Sequence, residues 1–218
     1  MRIIVMKNRL MLLALLLLPC TSRLVAQTKP IPQTPQLRTT ATVLAPRWAV
    51  KTNLLYDATT TINLGFELGI GRKWTLDVSG NYNPWTFADN KKLKHWLVQP
   101  EFRYWNCERF NRGFWGFHLL GGQYNVGNFD LPAGIFPSLA DYRYEGRMVG
   151  AGISYGWQWY LGAHWNLEAT VGFGYIYSQY DKFPCPKCGI KESNGEKHYF
   201  GPTKVGVSLI YLFKTKRK

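Results

Sequence analysis

The sequence predicts an all-β protein built as one eight-stranded antiparallel up-and-down transmembrane β-barrel. Three observations predict this class: an export signal at the N terminus, an apolar–polar alternation of period two, and an aromatic content of 16% that includes 9 Trp and 13 Tyr. After Leu18 the chain has no apolar stretch as long as the roughly 20 residues that a transmembrane helix needs. Such a chain can cross a membrane only as a closed set of strands.

Residues 1–26 have the pattern of a signal peptide. A basic start with Arg2 and Lys7 precedes an apolar run at residues 10–18, which is too short to span a bilayer as a helix. The small residue Ala26 stands at a suitable cleavage point. We therefore expect export, with cleavage after Ala26.

A lipoprotein signal is the alternative for this segment, because Cys20 follows the apolar run. Pro19 disfavours it, since lipoprotein signals carry a small residue at that place. Residues 27–46 are rich in Pro, Thr and Gln and are expected to form a flexible periplasmic segment. The outer-membrane barrel is expected to span residues 47–218.

Eight segments of the chain alternate between apolar and polar or small residues. In residues 62–70 every even position is apolar and every odd position is Asn, Gly or Glu. Period two indicates strands whose two faces meet different surroundings. The predicted strands are 50–56, 62–70, 74–82, 96–104, 114–124, 149–159, 165–175 and 205–213.

The apolar face of these strands is expected to point outward, toward lipid. Eight strands close around a lumen just wide enough for side chains, and the many large aromatic residues could not all fit inside it. The polar face would fill the lumen with charges that pair with one another. The predicted lumen network contains Lys51, Asp57, Glu67, Asp77, Glu101, Arg103, Glu168 and Lys204, with His118 on the same face.

The periplasmic connections of the predicted strands are short, and three of the four outer ones are long; the first outer one, near residues 57–61, is short. Short periplasmic turns are expected at 71–73, 106–113 and 161–164, and long outer loops at 84–95, 125–147 and 180–203. Outer-membrane barrels have this asymmetry. A soluble secreted β-sandwich that acts as a binding module, with the apolar face buried between two sheets, is a further alternative.

The chain contains a Cys-Pro-Lys-Cys-Gly motif at residues 185–189. A structural zinc site needs four ligands, and only His198 is near, so no metal site is predicted. In an oxidising compartment we expect a disulfide between Cys185 and Cys188 that staples an outer loop.

The formal net charge of +14 stays basic after removal of the signal peptide. The basic residues are scattered, without a compact basic helix or a nucleic-acid-binding module, so nucleic acid is not an expected partner. Exposed Lys and Arg at a bacterial surface suit the phosphates of lipopolysaccharide.

Two segments carry a resemblance to a known family: Lys-Thr-Asn-Leu-Leu-Tyr-Asp at residues 51–57 and Tyr-Phe-Gly-Pro-Thr-Lys at residues 199–204. They resemble an uncharacterised family of small outer-membrane proteins from Gram-negative gut and oral bacteria, catalogued as a domain of unknown function. The resemblance covers most of residues 48–213 and implies a barrel in the cell outer membrane, but no reaction. It also points weakly to a surface fimbrial or OmpA-like protein as a partner.

The last predicted strand resembles the signal read by the machinery that inserts outer-membrane barrels. This signal has a polar residue, a Gly two positions later and apolar residues at alternate sites. The chain departs from many such signals in that five further residues follow its last aromatic residue. The matching residues are Lys204, Gly206, Leu209, Tyr211 and Phe213.

No cofactor and no catalytic residue are predicted. The expected role is structural, adhesive or in surface assembly, carried by the outer loops of a monomer. The alternative is a lipid A-modifying enzyme that removes or transfers acyl chains with a His and a nearby Ser. For that chemistry the outer loops offer His95 and His198, with Ser138, Ser178 and Ser193.

Overall fold

Eight consecutive strands make up the part of the chain that a computed structural model describes, residues 46–87, 91–128, 142–184 and 190–213. Each strand is antiparallel to the next, and the last pairs with the first, so the sheet closes into a barrel. The strands are β1 (Trp48–Asn53), β2 (Ile62–Gly69), β3 (Trp74–Asn83), β4 (Lys92–Trp105), β5 (Arg112–Gly127), β6 (Arg143–Tyr160), β7 (Trp165–Phe183) and β8 (Ser193–Phe213).

This topology confirms the all-β prediction of eight antiparallel strands in up-and-down order. The closing ladder between β1 and β8 runs from Trp48 opposite Phe213 to Asn53 opposite Ser208. A closed single sheet has no second sheet packed against it, so a two-sheet sandwich does not match this topology.

The first strand ends earlier than the alternation predicted. Residues 54–56 were expected to continue it, but Leu54–Ala58 form a short helix, α1. The Asn53 side chain accepts a hydrogen bond from the backbone N–H of Leu55 at 3.1 Å, which caps the helix N terminus. The same oxygen accepts a bond from the backbone N–H of Val207 at 3.2 Å, so Asn53 also ties the helix to β8.

The strands lengthen steadily around the barrel, from 6 residues in β1 to 21 in β8. The loop-end connections are therefore shorter than predicted: 84–91, 128–142 and 184–192 instead of 84–95, 125–147 and 180–203. Toward the loop end both faces of a strand carry polar residues. The hydrogen-bonded pairing of the strands therefore continues where the sequence no longer alternates between apolar and polar residues. The turn-end connections, 70–73, 106–111 and 161–164, are short as predicted.

The two faces of the wall differ sharply in polarity. Polar and charged side chains point inward and are buried, whereas large apolar side chains point outward and are exposed. The buried apolar cluster is small and lies toward the turn end of the barrel. It consists of Ala49, Trp105, Phe110, Phe114, Ile210 and Leu212.

Several predictions fall on residues outside the described ranges. These are the signal peptide, the periplasmic segment except Pro46, the Cys185–Cys188 disulfide and Ser138. Among the residues that the structure describes, no helix is both long and apolar enough to cross a membrane.

Candidate functional site

A cluster of buried charges fills the middle of the barrel, with Arg103 of β4 at its centre. The nitrogen atoms of the Arg103 guanidinium lie close to four carboxylates. The nitrogen–oxygen distances are 2.9 Å to Glu67, 3.1 Å to Asp77, 2.8 Å to Glu101 and 3.0 Å to Glu168. Each of these five side chains is at most 2% exposed. One guanidinium therefore crosslinks four different strands from inside.

Two lysines complete this cluster. The Lys51 ammonium lies 2.8 Å from Glu67 and 3.0 Å from Asp77, and the Lys204 ammonium lies 2.7 Å from Glu101. We call the seven residues Lys51, Glu67, Asp77, Glu101, Arg103, Glu168 and Lys204 the Arg103 cluster. It holds three cations and four carboxylates, so the charges nearly balance.

Uncharged side chains satisfy further carboxylate oxygens of the cluster. Thr75 donates to Glu67 at 2.6 Å, Gln158 donates to Glu168 at 2.7 Å, and the Ser154 hydroxyl donates to Glu101. Buried charges are tolerated only when they are paired and hydrogen-bonded. The arrangement is thus a structural crosslink.

The structure brings together seven of the eight residues predicted for the lumen network, and Asp57 lies apart. Because the chain turns into α1 after Asn53, Asp57 is exposed on that helix. Its carboxylate accepts hydrogen bonds from Thr52 at 2.9 Å and Asn63 at 2.7 Å. Asp57 therefore anchors the helix to the ends of β1 and β2.

The apolar cluster seals the lumen below these charges. The Arg103 guanidinium carbon lies 4.2 Å from the centre of the Phe114 ring, and Trp105 donates to Thr75 at 2.9 Å. This seal was missed by the sequence analysis, although Trp105 follows Glu101 and Arg103 at the same inward positions of period two. A cavity of about 30 Å³ beside the cluster has the volume of about one water molecule.

Tyr56 of α1 lines the same small cavity from the loop side. The described part of the lumen is thus filled by side chains from the turn end up to α1.

Of the residues expected for an acyl-transfer enzyme, the four that the structure describes do not form a His–Ser pair. His95 Nδ1 lies 3.0 Å from the carbonyl of Leu93, and His198 Nδ1 lies 2.5 Å from the Tyr175 hydroxyl. Ser178 shares a hydrogen bond of 2.6 Å with the Tyr124 hydroxyl.

Ser193 is the first residue of β8 and is exposed. The described residues contain one other His–hydroxyl pair, His118 Nε2 with Thr203 Oγ1 at 2.9 Å. In the described ranges no His is hydrogen-bonded to a serine hydroxyl.

The residues that resemble the barrel-insertion signal lie on the strand that closes the barrel. Within β8, Lys204 and Gly206 point into the lumen, whereas Leu209, Tyr211 and Phe213 lie on the outer face. The alternation required by such a signal is therefore present.

A second feature is an open cavity of about 880 Å³ at the loop end, which we call the outer cup. A ring of paired residues from six neighbouring strand ends lines its wall. The ring consists of Asn83, His95, Tyr124, Gly146, Tyr180 and Gly195.

Within the described ranges, no group of three or more His, Cys, Asp or Glu side chains could hold a metal ion. The class defined by these observations is a closed eight-stranded barrel with a charge-filled, sealed interior and an open cup at one end. The chain belongs to the family described as "Protein of unknown function (DUF3575)", whose model matches residues 33–213. Comparisons with curated proteins and with solved structures gave no match.

Proposed function

We propose that this protein is an outer-membrane β-barrel whose loop end, exposed at the cell surface, serves a structural, adhesive or assembly role. The observation that carries the proposal is the polarity of the wall. Leu64 and Ile153 on the outer face are 64% and 62% exposed, whereas Glu67 and Arg103 inside are at most 1% exposed. In water this arrangement would expose apolar surface all around the barrel, while in lipid it is the expected one.

Aromatic pairs at the turn end support the same proposal. On the outer face, the ring centres of Trp74 and Tyr104 lie 4.8 Å apart, and those of Trp48 and Phe213 lie 3.7 Å apart. Trp115 pairs with Tyr155 and Trp165 with Tyr211 in the same way. Membrane barrels carry such aromatic girdles at the level of the lipid headgroups.

A second outer aromatic level follows along the same strands. On β3, Tyr82 stands eight residues after Trp74, about 26 Å farther along the strand. Tyr82 pairs in register with Trp96 of β4. With a strand tilt of about 40°, the two aromatic levels stand about 20 Å apart along the barrel axis, somewhat less than the apolar band of membrane barrels, which is about 25 Å tall.

The rim of the loop end is braced by contacts between neighbouring strands. The Arg143 guanidinium lies 4.1 Å from the Phe183 ring centre, and the Lys182 ammonium lies 3.5 Å from that of Tyr142. Lys191, two residues before β8, forms an ion pair of 2.6 Å with Asp181 of β7. A braced rim suits a surface that presents loops to a partner, for which lipopolysaccharide phosphate and a fimbrial or OmpA-like protein are the candidates.

The topology is tested with one reporter cysteine at each end of the barrel. Ile190 at the loop end is 83% exposed, and Gly162 at the turn end has open space where a side chain would be added. In cells whose outer membrane contains the barrel, a bulky impermeant maleimide should label Ile190→Cys directly and Gly162→Cys only after permeabilisation. The unchanged protein provides the background.

Labelling of Gly162→Cys on intact cells would contradict the proposed orientation. Recovery of the protein outside the outer-membrane fraction would contradict the location. Co-purification of the tagged protein with one stoichiometric surface partner is expected if the role lies in assembly.

A further inference from the structure

The outer cup has the properties of a ligand site rather than of a solvent-filled rim. Its volume of about 880 Å³ lies in the range of small-molecule sites, about 300–1,000 Å³. Its wall is continuous, because the ring residues follow one another in register across the sheet. His95 lies opposite Tyr124, Tyr124 opposite Gly146, and Tyr180 opposite Gly195.

Two tyrosines of this ring lie close against glycines of the neighbouring strand. A methyl group added at Gly195 would meet the Tyr180 ring at 2.8–3.3 Å, and one added at Gly146 would approach the Tyr124 hydroxyl at 3.0 Å. The glycines therefore let both tyrosines lie against the wall instead of filling the mouth. Both tyrosines line the cup.

None of the six ring residues is an Asp, Glu, Lys or Arg. Charged residues at the alternate positions of the same strand ends also line the cavity. They are Lys94, Glu145, Arg147, Asp181 and Glu196, with nearly balanced signs. Deeper in the barrel, buried Leu97 and Leu120 lie between the cup and the Arg103 cluster.

Hydrogen-bonding groups are nevertheless available in the cup. The Tyr124 hydroxyl lines the cup, shares one hydrogen bond of 2.6 Å with the buried Ser178 hydroxyl and can take part in another. His95 adds an imidazole to the lining. Asn83 also lines the cup, but its buried amide donates to Thr61 and accepts from the backbone N–H of Trp85. The cup thus combines tyrosine rings with neutral hydrogen-bonding groups, which suits an uncharged ligand with apolar faces and hydroxyl edges.

We propose that the outer cup binds a short neutral oligosaccharide. A sugar ring has a face of C–H groups that packs on an aromatic ring and a rim of hydroxyls that meets the Tyr124 hydroxyl and the His95 imidazole. The six ring residues offer a charged ligand no counter-charge, and the charges elsewhere in the lining nearly balance, so the lining favours neither sign of ligand charge. The inference goes beyond the proposed surface role. It rests on that role in one respect: the cup faces the outside of the cell only if the proposed orientation holds.

The test uses the purified full-length protein in detergent and isothermal titration with maltotriose, chitotriose, mannotriose and galactotriose, and with trialanine as a neutral peptide. We expect saturable binding of at least one of the trisaccharides. Tyr180→Ala should weaken it about tenfold, because it removes the stacking surface, whereas Tyr180→Phe keeps the ring and should change affinity about twofold at most. Tyr160→Ala, at the turn end and 60% exposed, is the matched control and should bind normally.

The heat-dependent gel shift verifies that each variant is folded, and Tyr124→Ala replaces Tyr180→Ala if the latter does not fold. Failure of all four trisaccharides to bind, binding of trialanine alone, or equal affinity of the alanine variants and the unchanged protein would overturn the proposal. Sugar binding by a protein that is absent from the outer membrane would instead overturn the proposed location and leave the cup as a sugar site.

Discussion

Neighbouring residues on one strand of this barrel meet opposite surroundings, as Phe66 and Glu67 of β2 illustrate. The Phe66 side chain is 44% exposed on the outer face, while Glu67 is fully buried between Lys51, Thr75 and Arg103. In water-soluble proteins large apolar residues are inside and charges outside. The inner face is thus held by pairing of polar groups, whereas the polarity of the outer face fits the proposed contact with lipid.

The largest expected effect on the inner face comes from removal of its central cation. Arg103→Met leaves four buried carboxylates with only Lys51 and Lys204 to compensate them. Breaking a buried ion pair from one side costs about 3–5 kcal/mol, so we expect the free energy of unfolding in urea to fall by about that amount. A fall of less than about 1 kcal/mol would show that the cluster does not hold the strands together.

Two adjacent glycines of β5 provide a finer comparison of the faces. A methyl group added at inward Gly122 would collide with the backbone carbonyl of Trp96, whereas one added at Gly121 meets nothing within 4 Å. Gly122→Ala should lower the free energy of unfolding by about 1–3 kcal/mol. Gly121→Ala should change it by about 1 kcal/mol at most, with stabilisation as the expected sign. Equal effects in urea unfolding would mean that the two faces are not distinct at this level.

The smallest effect is expected from an ion pair outside the barrel. Arg72 and Glu108 lie 3.2 Å apart at the turn end, with side chains 85% and 55% exposed. Arg72→Met makes the same chemical change as Arg103→Met, but in water. Because exposed ion pairs contribute about 0–1 kcal/mol, we expect the free energy of unfolding to fall by no more than that. A loss in urea unfolding as large as that of Arg103→Met would remove the distinction between buried and exposed charges.

Much of this barrel follows from the alternation of its residues. Period two places Glu67, Glu101, Arg103 and Glu168 on one face of their strands, and strand closure then brings them together. Asp57 did not follow the pattern, because Asn53 caps a helix and ends β1 four residues before it.

The outer cup could not be predicted in the same way. The ends of β6, β7 and β8 have polar residues on both faces, so no apolar alternation indicates where these strands stop. The apposition of Tyr180 and Gly195 depends on register between strands, which the hydrophobic pattern does not specify there.

The central claim, that the outer face of the barrel meets lipid, is tested most directly by the heat-dependent gel shift of two outer-face variants. Phe66 and Phe173 are 44% and 51% exposed on this face. An Arg facing lipid near the midplane costs about 2–4 kcal/mol, so Phe66→Arg and Phe173→Arg should sharply lower the amount of folded barrel recovered from membranes. Thr170→Ser, an inner-face change that keeps the hydroxyl bonded to Glu168, should leave it unchanged. Normal folding of both Arg variants in membranes and in detergent would contradict the claim.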